Sequence, residues 1–369
     1  MTDHVAGNQP PDLNEALIVA NPKAGSGPGH ARIERLVVSL CHHGIAAQVV
    51  HDLTELTGRA AERQQAGRLR AVVAAGGDGT VAEVINRIAP GIPLSILPLG
   101  TENLLAKHLE MPREPEILAA QIAGGIVIPH DAGEAAGRLF ALMASCGFDA
   151  EVVRLLHAER TGHIGRLSYA KPIWQAIRSY EYPELRITCD SVAGVGVQPS
   201  ACAGDEPEGE PTPTASEASR SSPVQHVISA RFAFVMNVPR YALGLQFTPG
   251  ARGDDGLLDL CAFRRGSFGW GLWYLSNLVL RRHGRLADCS LVRATRIRIE
   301  SDRQVPYELD GDPGGYLPLE IAVRPNRLTL LVSAEWAARN CQFAKPQASD
   351  IEGIASEAVR FPNPRIPNP

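Results

Sequence analysis

Four short apolar runs, ALIVANP, AAQVVHD, LRAVVAAGG and PLSILPLG, recur between residues 13 and 129, and helical patterns such as HARIERLVVSLCHH and TVAEVINRIA stand between them. Repetition of strand, polar turn and amphipathic helix leaves few folds open. Each helix has to bury its apolar stripe on a sheet, and strands joined by helical crossovers run parallel. The rhythm changes after residue 131. There GRLFALMAS, PELRITCD, ARFAFVMNV, GLLDLCAF, ATRIRIES, LPLEIAVRP and RLTLLVSA read as short strands joined by turns, which predicts an antiparallel sandwich or barrel. The expected fold is α/β with two domains. A parallel α/β domain spans residues 13–130 and is completed by 334–345, and an antiparallel β-sandwich domain spans 131–333.

Several classes are excluded early. No apolar run reaches the roughly 20 residues of a membrane-spanning helix, and the start MTDHVAGNQPPDLNEA lacks the basic and apolar segments of a secretory signal. This predicts a soluble, cytoplasmic protein. A net charge of −4 gives no electrostatic case for a nucleic-acid partner. Cys41, Cys146, Cys189, Cys202, Cys261, Cys289 and Cys341 form no C-x-x-C pair and read as reduced thiols. The acids are concentrated locally: six of them and one arginine lie between Asp190 and Ile228. Within that stretch, residues 193–225 have the composition of a disordered insertion looping out of a folded domain, and residues 1–12 and 346–369 read as disordered tails.

The turns after the parallel strands carry the chemistry. The first run ends in Asn21, Pro22, Lys23, Ala24 and Gly25, where small residues let backbone N–H groups approach an anion and Lys23 adds charge. By itself this could be a plain turn. The third run enters Gly76, Gly77, Asp78, Gly79 and Thr80 and then a helix. Strand, glycine turn and helix start are the parts of a polyphosphate cradle, and Asp78 adds a carboxylate able to engage magnesium or a hydroxyl proton. A helix N-cap alone would not need three glycines around one acid. The fourth run leads into Pro98, Gly100 and Thr101. Loops at the carboxyl ends of parallel strands share one edge, so three anion-binding turns could line one crevice and point to a nucleotide.

In order, N-P-x-x-G, G-G-D-G-T-x-x-E-V and P-x-G-T resemble the signature of the diacylglycerol kinase catalytic family, which includes bacterial lipid kinases and sphingosine kinases and is distantly related to NAD kinases. The resemblance continues through CGFDAEVVRLL, IGRLSYAKPIWQAIRSY, FVMNVPRYALGLQFTPGARGDDGLLDL and ELDGDP, and covers about residues 16–333 apart from the insertion. It implies an NAD-kinase-like nucleotide-binding domain followed by a lipid-substrate domain. The implied ATP site comprises Asn21, Pro22, Lys23, Gly25, Thr54, Gly76, Gly77, Asp78, Gly79, Thr80, Glu83 and Thr101. It also implies a structural magnesium held by the Asp255 side chain and the carbonyls of Arg252 and Leu257. That set of hard oxygen donors suits the ion, although DDGLLDL is also a plain turn entering a strand. Two positions depart from the family. Bacterial members present a glutamate as proton acceptor where this chain has Asp312, one methylene shorter, which leaves Asp78 as the alternative base. Where many relatives read T-N-D, this chain reads Thr101, Glu102, Asn103, and neither of the last two is assigned a role.

The implied activity is ATP- and magnesium-dependent phosphorylation of a lipid hydroxyl, diacylglycerol to phosphatidic acid foremost, with the active site expected in the inter-domain cleft. Sphingoid bases or ceramide are alternative acceptors. An NAD-kinase-type enzyme and a catalytically silent lipid- or nucleotide-binding protein are the rival functions, the latter favoured by Asp312. The segment FRRGSFGWGLWYLSNLVLRRHG sets Phe268, Trp270, Trp273 and Tyr274 between Arg264, Arg265, Arg281 and Arg282, and reads either as a core-packing helix or as one resting on an anionic membrane. Peripheral membrane contact is therefore expected. Oligomeric state stays open, a homodimer included.

Overall fold

A computed structural model of the chain describes residues 13–20, 28–158, 170–191, 224–241 and 244–340. Both tails, the turn bearing Asn21, Pro22, Lys23 and Gly25, most of the acidic insertion, Cys202 and Cys341 lie outside the described residues. The chain divides into two compact units, one of Met1–Gly100, Leu109–Pro129 and Leu328–Pro369, the other of Thr101–His108 and His130–Arg327.

The first unit alternates as its sequence predicts: β1 (Glu15–Ala20), α1 (Pro28–His42), β2 (Ala46–Val50), α2 (Leu53–Gln65), β3 (Leu69–Gly76), α3 (Asp78–Ile85) and β4 (Pro93–Pro98). The short α4 (Leu104–His108) counts with the second unit, and α5 (Pro115–Gly124) with the first. The strands pair in parallel in the order β4-β3-β1-β2. All eight residues of β3 are buried, the signature of a strand covered on both faces. The chain runs from β1 outward to β2 and then returns to the other side of β1 for β3. The order therefore reverses between β1 and β3, which is where open parallel sheets bind ligands, at the carboxyl ends of the strands.

The second unit begins within β5 (Ile126–Ala135) and continues through β6 (Arg138–Phe140), β7 (Met143–Cys146), α6 (Phe148–Ala158), α7 (Ala170–Ser179), β8 (Leu185–Ser191), β9 (Val224–Ala230), β10 (Phe232–Met236), β11 (Leu258–Phe263), α8 (Phe268–Val279), β12 (Cys289–Glu300), β13 (Pro306–Leu309), β14 (Asp312–Tyr316) and the start of β15 (Leu319–Val332). Antiparallel pairing joins β14-β13-β7-β10-β11-β12-β15, with the β8-β9 hairpin added beside β12. Phe140, Leu185, Ile187, Leu258, Leu260, Ile297 and Ile299 fill the core between these strands. Helix α9 (Ala334–Asn340) belongs to the first unit.

Three boundaries differ from the sequence reading. LPLEIAVRP and RLTLLVSA, read as two strands, are the single strand β15. Pro325 and Asn326 looked like a break, but the Asp131 carboxylate accepts the Asn326 N–H at 2.8 Å and carries the chain through. The units therefore divide at Arg327 rather than at residue 333, because Thr329 and Leu330 pair in parallel with Pro93 and Leu94 of β4. Val224 and Gln225, placed in the insertion by composition, are part of β9, opposite Ser191 and Asp190. Among the described residues, no helix is long and apolar enough to cross a membrane. Cys41 is free and exposed, and Cys146, Cys189, Cys261 and Cys289 are free and buried.

The pairing of Ser191 with Val224 brings the two ends of the acidic segment side by side. Joining them through a short Asn-Gly turn in place of residues 192–223 should leave the fold intact and hold or raise the thermal midpoint by several degrees, because each halving of loop length saves only about 0.6 kcal/mol of closure entropy. An insoluble product, read by soluble yield and calorimetry, would show that the segment contributes to the fold.

Candidate active site

Of the predicted nucleotide residues described in the first unit, Gly76 to Thr80 and Thr54 stand at the carboxyl edge of the parallel sheet. Gly76 ends β3, and a Cβ there would overlap the Thr80 side chain, so the turn closes only with glycine at that position. Gly77 caps α3 in an extended conformation, and its carbonyl accepts the N–H groups of Thr80 at 2.9 Å and Val81 at 3.2 Å. Asp78 is the first helical residue and Gly79 the second. The N–H groups of such a first turn point out along the helix axis, with the positive end of its dipole. Around Gly79 no described atom lies within 4 Å of where a Cβ would stand. The Gly76 carbonyl also accepts the Leu99 N–H at 3.0 Å, which ties the turn after β4 to the glycine turn.

Thr54 stands at the start of α2 on the same edge, where its N–H and hydroxyl both donate to Asp52 Oδ1 at 2.8 and 2.7 Å. Those bonds hold the Asp52 carboxyl below its usual range. Glu83 is turned along α3 to pair with Arg87. Thr101 is exposed and belongs to the second unit, unlike Gly100 beside it. Asn103 is buried with φ 51°, and its carbonyl accepts the Lys107 N–H at 2.9 Å, so it serves the start of α4. Glu102 pairs with Lys107 at 3.3 Å.

In the second unit two tight turns place the acid. Ala136 and Gly137 join β5 to β6, Asp310 and Gly311 join β13 to β14, and all four have positive φ, as a two-residue hairpin of right-handed strands requires. Arg138 follows the first turn and Asp312 the second, and Arg138 Nη2 donates to Asp312 Oδ2 at 2.8 Å. His157 of α6 brings Nε2 to 3.8 Å from Asp312 Oδ1. Asp312 keeps 27% of its side chain accessible. Asp310 is held differently, because its carboxylate accepts the N–H groups of Ala141, Leu142 and Met143 at 2.7 to 2.9 Å. The first acid of the D-G-D triplet is thus bound into the fold, and the last is presented at its surface.

Beneath the hairpin lies an acid pair that the sequence reading missed. Glu308 is 1% exposed, and its Oε2 accepts the Gly311 N–H at 2.6 Å. Burial pushes its carboxyl well above the usual range and the charge of Asp149 adds to the push, against the pull of Gly311 and Ser145. Burial also raises Asp149, although the residue as a whole is only partly buried, while Tyr241 at 2.8 Å and Ser145 at 2.9 Å donate to it. Asp131 was missed as well. It is 1% exposed and accepts the N–H groups of Gly256 at 2.7 Å and Asn326 at 2.8 Å. Its strand, IVIPHDAGEA, also carries His130 and Glu134, so no local signal set it apart.

The carboxylate implied as the magnesium ligand is already engaged by other groups of the chain. Asp255 gives Oδ2 to the Arg293 guanidinium and Oδ1 to the Leu257 N–H at 3.1 Å, and Arg252 grips Asp254 at 2.9 and 3.0 Å. Among the described residues no group of three or more His, Cys, Asp or Glu side chains could hold a metal.

A parallel α/β unit with a glycine turn at its switch point, followed by an antiparallel unit presenting an acid on a hairpin, defines a kinase-like architecture. Residues 15–135 match the diacylglycerol kinase catalytic domain, and residues 143–332 match the YegS C-terminal NAD kinase beta sandwich-like domain. The chain belongs to this family of lipid kinases. It is 23% identical over 316 residues to a diacylglycerol kinase of Bacillus subtilis, covering 84% of this chain and 93% of that one. A diacylglycerol kinase of Mycobacterium tuberculosis is 24% identical over 332 residues, covering 87% and 96%. A Bacillus anthracis crystal structure described as a diacylglycerol kinase shares the fold, with a TM-score of 0.56 at 19% identity, over 87% of this chain and 98% of that one.

The buried acid pair gives a pH dependence. An acid whose pKa is raised by folding keeps its proton in the native chain while the unfolded chain releases it, so native stability falls as pH climbs from the ordinary Glu range toward the raised value. The urea midpoint should therefore decline with rising pH above about 4.5, and Glu308→Gln, neutral at every pH, should flatten that decline. Parallel slopes for both proteins would show that the pair is not protonated in the native state.

Proposed function

We propose that the chain transfers the γ-phosphate of ATP to the hydroxyl of a lipid alcohol, with diacylglycerol as the acceptor. Gly79 is the observation that carries the nucleotide half of this reading. A glycine within a helix costs roughly 1 kcal/mol relative to alanine, and among the described residues no neighbour requires its absent side chain. Its absence instead suits close approach by a polyphosphate at the start of α3. Family membership and the domain matched by residues 143–332 support the lipid half.

In phosphoryl transfer the protein contributes mainly position and charge. The first turn of α3 and the turns beside it hold the phosphates, and Asp78 organises the magnesium that accompanies ATP. When bound, that ion would supply positive charge to the phosphoryl oxygens. Asp312 orients or accepts the acceptor's hydroxyl proton, with Arg138 fixing its rotamer through Oδ2 and leaving Oδ1 toward His157. Besides the shorter acid itself, the Arg138 pair favours a silent lipid-binding protein, since a guanidinium competes for the base.

Asp312→Asn should lower kcat by about 10² to 10⁴ with ATP affinity nearly unchanged, and Asp312→Glu should retain measurable turnover. Asp78→Asn should weaken magnesium-ATP binding as well as turnover. Gly79→Ala should hold or raise the thermal midpoint while weakening ATP binding. Full activity in Asp312→Asn would move the base to Asp78. Absence of phosphoryl transfer by the wild-type protein to any lipid in a total extract, with ATP still bound, would favour the silent protein.

The substrate implies contact with a bilayer, and α8 has the chemistry for it. Phe268, Leu272, Trp273, Leu275 and Val279 are 41 to 64% exposed on its outer face, while Tyr274, Asn277 and Leu278 turn inward. Arg264, Arg265, Arg281 and Arg282 are exposed at its ends, and the Arg265 guanidinium lies 4.4 Å over the Trp270 ring. An apolar face between cations fits an anionic lipid surface. The full chain should sediment with vesicles containing phosphatidylglycerol and far less with neutral vesicles, and Leu272→Glu with Trp273→Glu should abolish the difference. Equal sedimentation of this double variant would assign the surface elsewhere.

A further inference from the structure

Asp255 and Asp259 lie one turn and one strand start apart, and both are largely withdrawn from water, with 18 and 9% of their side chains accessible. Burial raises both carboxyls, Asp259 to about 6, while Arg293 pulls each the other way. Asp259 of β11 stands directly opposite Arg293 of β12 in the antiparallel register. A cross-strand pair of opposite charge is favourable in its own right. Arg293 does more, because it extends past its partner: Nε lies 3.6 Å from Asp259 Oδ1, and Nη2 bonds Asp255 Oδ2.

The loop carrying Asp255 is also bonded to Asp131 of β5. Gly253 gives its carbonyl to the Asp131 N–H at 2.6 Å, and a Cβ on Gly253 would overlap the His130 ring. Gly256 donates to the Asp131 carboxylate at 2.7 Å. A divalent ion at Asp255 would share the carboxylate with Arg293 and would then stand close to a guanidinium. Two cations competing for one partly buried carboxylate repel strongly.

We infer that Arg293 is the resident cation of this loop, neutralising Asp255 and Asp259 in place of the structural divalent ion implied by the resemblance to bacterial lipid kinases. The second unit then holds its loop without metal. The guanidinium suits this because it stays charged at every relevant pH and can reach two carboxylates at once.

The test uses the full chain without ATP or lipid, so its outcome is independent of the proposed activity. Thermal unfolding is followed in EDTA and in millimolar magnesium or calcium, and metal content is measured after dialysis against the ion. The wild-type midpoint should stay within about 1 °C across these conditions, whereas an ion held at a hundredfold excess over its Kd would raise it by about 5 °C or more. Arg293→Met should lower the midpoint in EDTA, because two carboxylates are left without a counter-charge, and magnesium or calcium should restore part of the loss. If that variant does not fold, Arg293→Lys, which keeps one charge, should fold and remain insensitive to metal. A wild-type midpoint that rises by several degrees with metal, stoichiometric metal after dialysis, or an Arg293→Met midpoint equal to wild type in EDTA would each overturn the inference.

Discussion

A carboxylate taken out of water has to be met by hydrogen bonds, by a cation or by a proton, and the second unit depends on how several are met. Asp131 and Asp310 are met by backbone N–H groups, two for the first and three for the second. Asp255 and Asp259 are met by one guanidinium. Glu308 and Asp149 are met by hydroxyls and one N–H, and burial raises both carboxyls toward the neutral form. Backbone donors fix loops because they cannot rotate away, so Asp131 and Asp310 hold the chain where side-chain pairs alone would leave it freer. Asp312 inherits its position from this arrangement, since its hairpin is pinned to β7 by the acid two residues before it.

The first unit solves a different problem. Its central strand is buried on both faces and ends in a glycine pressed against Thr80, so the chain must turn at Gly77 and start α3 with Asp78. That geometry leaves the helix start open at the edge where strand order reverses. Gly76 is there for packing and Gly79 is not, a distinction the sequence string GGDGT hides.

Much of the fold was legible because period and punctuation agreed: β1 to β4 are apolar runs ending in small residues. Thr80 and Gly77 could be placed at a helix start from the same signals. What escaped the reading depends on partners far away in sequence. Nothing local says that Arg293 reaches a residue 38 positions earlier, or that Asp131 accepts an N–H 195 positions later and so keeps β15 running through Pro325. Glu308 was hidden for the same reason, since an acid in a short strand reads as an exposed position until its neighbours are known.

The passage of β15 from one unit to the other bears on how the chain matures. Among the described residues, the outer edge of β4 is paired by Thr329 and Leu330, and α9 follows later still. On a ribosome, which delivers the amino terminus first, β1 to β4 emerge early, yet their sheet lacks its last strand until nearly all of the second unit has been made. Such an unpaired strand edge is a template for the wrong partner. The unit begun first is therefore finished last, and the interval in which its apolar edge waits is set by the length of chain translated in between.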